Sequence, residues 1–182
     1  MEKNPTEQSF LAMGALGNVF AFLRKWDSAL ERHQKAIAGL KDRDEQHKQI
    51  GLCYHQIGMV HQLQRAWPQA IENYQKAIEC FERTGQKHEL PRTLICMALV
   101  EKERKNGEEA CRFARAALLV ALRTDADPAL FLTILRIASS IARDTELAGA
   151  AQDDLNLALN QLFEANPELK EALEQRDGDP SP

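Results

Sequence analysis

Aromatic residues make up only 6% of this 182-residue chain, and its 7 prolines and 9 glycines are scattered along it. So few ring side chains and turn formers argue against a β-sandwich, and the absence of a glycine period excludes a collagen-like repeat. No apolar run approaches the roughly 18 to 20 residues that a membrane span needs. Met1-Glu2-Lys3-Asn4-Pro5 does not open a basic, then apolar, then small-residue signal pattern. The four cysteines, Cys53, Cys80, Cys96 and Cys111, stand 27, 16 and 15 residues apart. None forms a Cys-x-x-Cys pair and no His-x-x-x-His accompanies them, so no metal site and no metal cofactor is expected. Each falls in a helical apolar pattern, where a free cysteine packs as a small hydrophobe. There is no Ser/His/Asp set, no paired carboxylates in an apolar setting and no glycine-rich phosphate loop. The chain is therefore expected not to be an enzyme. Nor does any Lys/Arg cluster with interleaved aromatics point to nucleic acid.

What is present is 44% apolar and 27% charged residues, with Ala, Leu, Glu, Gln, Lys and Arg in excess. That composition favours helix with a real core. A cytoplasmic, all-α protein is expected. The net charge of −4 hides an asymmetry: residues 1–143 hold 21 Lys and Arg against 17 Asp and Glu, and residues 144–182 hold 2 against 10. An acidic end on a mildly basic body attracts a partner of opposite sign, folds against the body, or serves solubility.

A duplication is visible by eye. Residues 16–40 align without a gap on residues 57–81, a shift of 41. Identities fall at Gly17/Gly58, Val19/Val60, Arg24/Arg65, Trp26/Trp67, Ala29/Ala70, Glu31/Glu72, Gln34/Gln75, Lys35/Lys76, Ala36/Ala77 and Ile37/Ile78. The frame continues more faintly in steps of 40, from Ala70 to Ala110 and Ala150. Four repeats are read, near residues 10–50, 51–90, 91–130 and 131–165. Within each copy, apolar residues recur at helical spacing in two segments separated by a short break. Ala70, Ile71, Tyr74, Ala77, Ile78 and Phe81 make one such stripe, and Tyr54, Ile57 and Val60 belong to the helix before it. Pro68 fits a first helical turn, Gly107 marks the equivalent break, and Asp127-Pro128 signals a helix start. Each copy is a helix hairpin, with Gly17 or Gly58 expected to contact Ala29 or Ala70 closely.

The residues Met13, Leu16-Gly17, Phe20, Ala29 and Ala36, and still more Tyr54, Ile57-Gly58, Tyr74 and Ala77, resemble the tetratricopeptide repeat signature. The pitch of 40 to 41 is longer than the usual value of about 34 and is similar to the longer-helix subclass. His33 and His61 stand at slots that are normally aromatic, His61 being read as a packed core residue. Glu101 occupies another such slot, so the last two hairpins are expected to pack more loosely. The resemblance implies a right-handed α-α superhelix (solenoid) of four hairpins over residues 7–165, since no hairpin buries its apolar face alone. A capping helix is expected over 166–176, with residues 1–6 and 177–182 disordered.

For function, the resemblance implies a concave groove made by the first helix of every hairpin. Its facing residues are Asn18 and Phe22; His55, Gln56, Met59 and Gln62; Arg92, Cys96, Leu99 and Lys102; and Arg136, Ser139 and Arg143. This wall is polar in the middle and basic toward its C-terminal half. It suits an extended or helical peptide of another protein, with an apolar anchor and acidic residues. A carboxylate clamp of the kind that co-chaperones use is broken here: Asn18 and Arg92 match parts of it, but Gly14 stands where a lysine is required. The second reading is a small chaperone or regulator that holds a client protein soluble. Self-association through a terminal hairpin is a further expectation.

Overall fold

The computed structural model describes residues 7–40, 47–124, 126–144 and 149–177. These form four antiparallel helix hairpins, α1 (Glu7–Phe22) with α2 (Trp26–Leu40), α3 (His47–Leu63) with α4 (Trp67–Arg83), α5 (Leu90–Glu103) with α6 (Gly107–Arg123), and α7 (Pro128–Ala142) with α8 (Ala150–Ala165). A short 3-10 turn, Lys87–Glu89, leads into α5, and α9 (Pro167–Asp177) follows α8. There is no strand among the described residues. The terminal stretches 1–6 and 178–182, expected to be disordered, lie outside the described residues, as does most of the 42–49 segment that lengthens the first repeat; Asp177 closes α9.

The helices start and stop for local reasons. Pro68 lies in the first turn of α4, where its missing N–H costs no hydrogen bond. The Asp127 carboxylate accepts from the N–H groups of Ala129 (3.0 Å) and Leu130 (3.1 Å), capping α7. The first three hairpins turn on a residue in the left-handed region: Arg24 (φ 56°), Arg65 (φ 58°) and Lys105 (φ 60°). In the second, Arg65 N–H donates to the Gln62 carbonyl (3.0 Å) and Ala66 N–H to that of His61 (2.9 Å). The same pair of bonds recurs at Arg24–Lys25 and at Lys105–Asn106, a motif in which glycine usually takes the left-handed place. Gly107 accordingly does not form the bend; it is the first residue of α6.

The closest approach to Gly58 and Gly17 is that of a ring on the facing helix. A Cβ on Gly58 would sit 2.7 Å from the Tyr74 ring, and one on Gly17 would sit 2.7 Å from His33 Nε2. The glycines make room for those rings, and Ala70 and Ala29 are themselves fully buried.

Apolar clusters join one hairpin to the next. Leu40, Ile50 and Cys80 link the first and second, while Tyr74 and Ala70 meet Met97 and Val100 between the second and third. The largest runs from Ile95 to Leu159 through the third and fourth hairpins, with Leu169 and Leu173 of α9 packed on it. The third hairpin is thus as tightly paired as the first two. In the fourth, α7 and α8 touch each other far less and α8 rests chiefly on α6, so the looser packing expected of both holds for the fourth alone. Glu101, only 4% exposed, is neutralised where it stands: Arg104 Nη1 donates to both its oxygens (2.9 and 3.2 Å), and Asn106 Nδ2 to Oε2 (3.1 Å). His61 differs from expectation in the other direction, being half-buried at the surface. The chain is a solenoid of stacked helix hairpins.

Candidate functional site

The repeat register puts Asn18, Met59, Leu99 and Ser139 at one slot of the four first helices, and Ala15, Gln56, Cys96 and Arg136 at another. Two hollows open beside these slots, one at each end of the array.

The N-terminal hollow, about 230 Å³, lies between α1 and α3 and is lined by Phe10, Leu11, Asn18, Leu52 and Gln56, with His33 of α2 beneath. His33 is 1% exposed and neither ring nitrogen has a hydrogen-bond partner. Burial holds the ring neutral, its pKa pushed down to about 4. One repeat on, Tyr74 fills the same slot, and its hydroxyl donates to Gln62 Oε1 at 2.6 Å. The residue that corresponds to Gln62 in the first hairpin is Ala21, which offers nothing to a polar ring tip.

The middle of the wall is largely satisfied from within. His55, expected to face the groove, is 3% exposed. Its Nδ1 lies 3.0 Å from Thr93 Oγ1 and its ring 5.5 Å from that of Tyr74. Burial, helped by the Arg92 charge, lowers its pKa to about 4. Gln62 is engaged by Tyr74, and Lys102 pairs with Asp144 at 3.2 Å. The Cys96 thiol is pushed up to about 11 by burial, and Cys53 likewise. What the middle leaves open is apolar or cationic: Met59 and Phe22 (88% exposed), partly exposed Leu99, and the exposed Arg92 side chain.

The C-terminal hollow is larger, about 460 Å³, and lies among α7, α8 and α9. Arg136 and Ser139 of α7, and Arg143 just after it, line one side of it. Asn156, Asn160 and Phe163 close it from α8, and Lys170 and Leu173 from α9. The Ser139 hydroxyl is buried without a partner. Glu164 sets one carboxylate against the three cations, so the hollow is net basic; with its two amides and apolar floor it suits an anionic group attached to an apolar body. The α8 and α9 contributors were not foreseen, because the groove reading considers first helices only. Lys170 carried a signal: it is one of just two basic residues in the acidic stretch 144–182. Among the described residues no group of His, Cys, Asp and Glu comes together as a metal site, and no helix is long and apolar enough to cross a membrane.

Residues 8–83 match the family model of the tetratricopeptide repeat. The match falls on the first two hairpins, α1 to α4, and the later hairpins share their fold without a family match of their own. No curated protein matches the sequence. Among solved structures, the apo form of RapI superposes with a TM-score of 0.75 at 13% identity, over 96% of this chain and 60% of that one. BtubC (BKLC) from P. vanneervenii gives 0.69 at 12% identity, over 100% of this chain and 70% of its own. These likenesses are of fold, and the chain spans about 60% of the length of RapI.

Proposed function

We propose that the chain is a non-enzymatic protein-interaction scaffold whose first-helix wall holds a peptide or helix of a partner protein. The observation that carries this reading is the pairing of hollows on one register of slots. Asn18 and Gln56 border an apolar hollow, and Arg136, Ser139 and Arg143 border a basic one. An apolar side chain of the partner enters the first, over Leu11, Leu52 and Phe10. Carboxylates of the same segment meet Arg136 and Lys170 in the second. Met59, Leu99 and Phe22 offer apolar contact along the way. The arginines act mainly on encounter rate and register, since exposed charges contribute little to affinity on their own.

The test is recovery of a partner by the tagged chain from its own cells, compared with an Arg136→Glu/Lys170→Glu variant. Both side chains are exposed, so the variant keeps its helical circular dichroism. The reading expects the partner to be lost at moderate salt; undiminished recovery by the variant removes the basic hollow from the site.

A further inference from the structure

We propose that the outer face of α1 is a self-association surface, on which α1 of a second copy packs antiparallel. From Gln8 to Leu23 the sequence has no charged side chain. On the exposed side of that helix and its first turn residue stand Ala12, Leu16, Val19 and Leu23, at spacings of 4, 3 and 4, the seam by which two helices pair. All four are exposed, Leu16 by 40%, Val19 by 52% and Leu23 by 54%.

The repeat register says what these slots are for. Ala12, Leu16 and Val19 correspond to Cys53, Ile57 and Val60 of α3, and those to Thr93, Met97 and Val100 of α5. All six of the latter are buried. Met97 and Val100 lie against Ala70 and Tyr74 of the preceding hairpin. In α3 and α5 these are stacking slots, and on α1 no described residue covers them.

A second copy fits this face, and it fits symmetrically. An antiparallel pair centred between Leu16 and Val19 sets each Leu16 opposite the partner's Val19 and each Ala12 opposite the partner's Leu23. Small then meets large and no like charges meet. Head-to-tail stacking is disfavoured because the far end of the array is already filled: Leu169 and Leu173 of α9 pack on its core. The groove side of α1, with Asn18 and Phe22, stays free, so this association is independent of partner binding.

Sedimentation of the full chain over a range of concentrations tests it. A concentration-dependent dimer is expected, with Val19→Glu and, separately, Leu16→Lys lowering the apparent mass to that of a monomer at unchanged circular dichroism. Because the antiparallel register sets residue 16 against residue 19, mixing the two variants restores the dimer. Leu157→Glu, at another exposed leucine (57%), leaves the dimer intact. A wild-type monomer at every concentration, a dimer indifferent to Val19→Glu, growth past the dimer, or no rescue on mixing overturns the proposal. So does a seam that binds only a different protein.

Discussion

Tyr74 and His33 occupy the same slot one repeat apart, and each lies on a glycine. The difference is at the tip: the Tyr74 hydroxyl has Gln62, while the His33 nitrogens have none. Because a methyl on residue 58 would stand 2.7 Å from the Tyr74 ring, Gly58→Ala is expected to destabilise by about 1–3 kcal/mol through overpacking. The urea midpoint reads this directly. Glu101→Ala is expected to cost a similar amount, about 1–3 kcal/mol, since it leaves a gap and strips Arg104 and Asn106 of their acceptor. Glu101→Gln, which keeps an oxygen for Asn106, should lose less. The sequence shows that these positions depart from an aromatic pattern. It does not show that Glu101 is answered by Asn106 and Arg104 while His33 is left without a partner, because residues such as Asn106 are polar positions with no period of their own.

At the level of the helix, the hairpin turns were legible only in part. Periodicity locates the helices, and Asp127-Pro128 and Pro68 act as their chemistry predicts. The bend itself falls on Arg24, Arg65 and Lys105, residues that give no sign of left-handed backbone. The conformation comes from the packing of the two helices, which overrides local preference. A side chain held in that region costs about 1–2 kcal/mol, part of which glycine forfeits in the unfolded chain. Arg65→Gly is therefore expected to stabilise by about 0.5–1 kcal/mol. A fall in melting temperature would mean that the Arg65 side chain contributes more than its backbone costs.

Across the whole molecule, the array carries two buried neutral imidazoles, His33 and His55, each with its pKa lowered to about 4. Below the ordinary value near 6.5 the unfolded rings take up protons that the folded rings refuse. Stability is thus complete above about pH 6.5 and lost as pH falls toward 4. At about 1.4 kcal/mol per pH unit, the expected loss is roughly 1 kcal/mol per ring by pH 5.5, measured by urea unfolding at a series of pH values. His33→Leu should remove about half of that slope. The stacked architecture was legible because a 41-residue duplication repeats the apolar stripes. The candidate site was legible where register alone decides it, at Asn18, Gln56, Arg136, Ser139 and Arg143. It was not legible where neighbouring helices meet: Thr93 draws His55 inward, Asp144 engages Lys102, and α9 brings Lys170 to the basic hollow.

The proposed function places partners on the wall of the first helices, closed at its C-terminal end by α8 and α9, and not on the outer faces of α2 and α4. A photo-crosslinking side chain installed at Gln56 or Arg136, on first helices, or at Glu31 or Gln75, exposed on second helices, tests it in the protein's own cells. Partner adducts are expected from Gln56 and Arg136 and none from Glu31 and Gln75. Equal adducts from all four, or adducts from Glu31 and Gln75 alone, would contradict it.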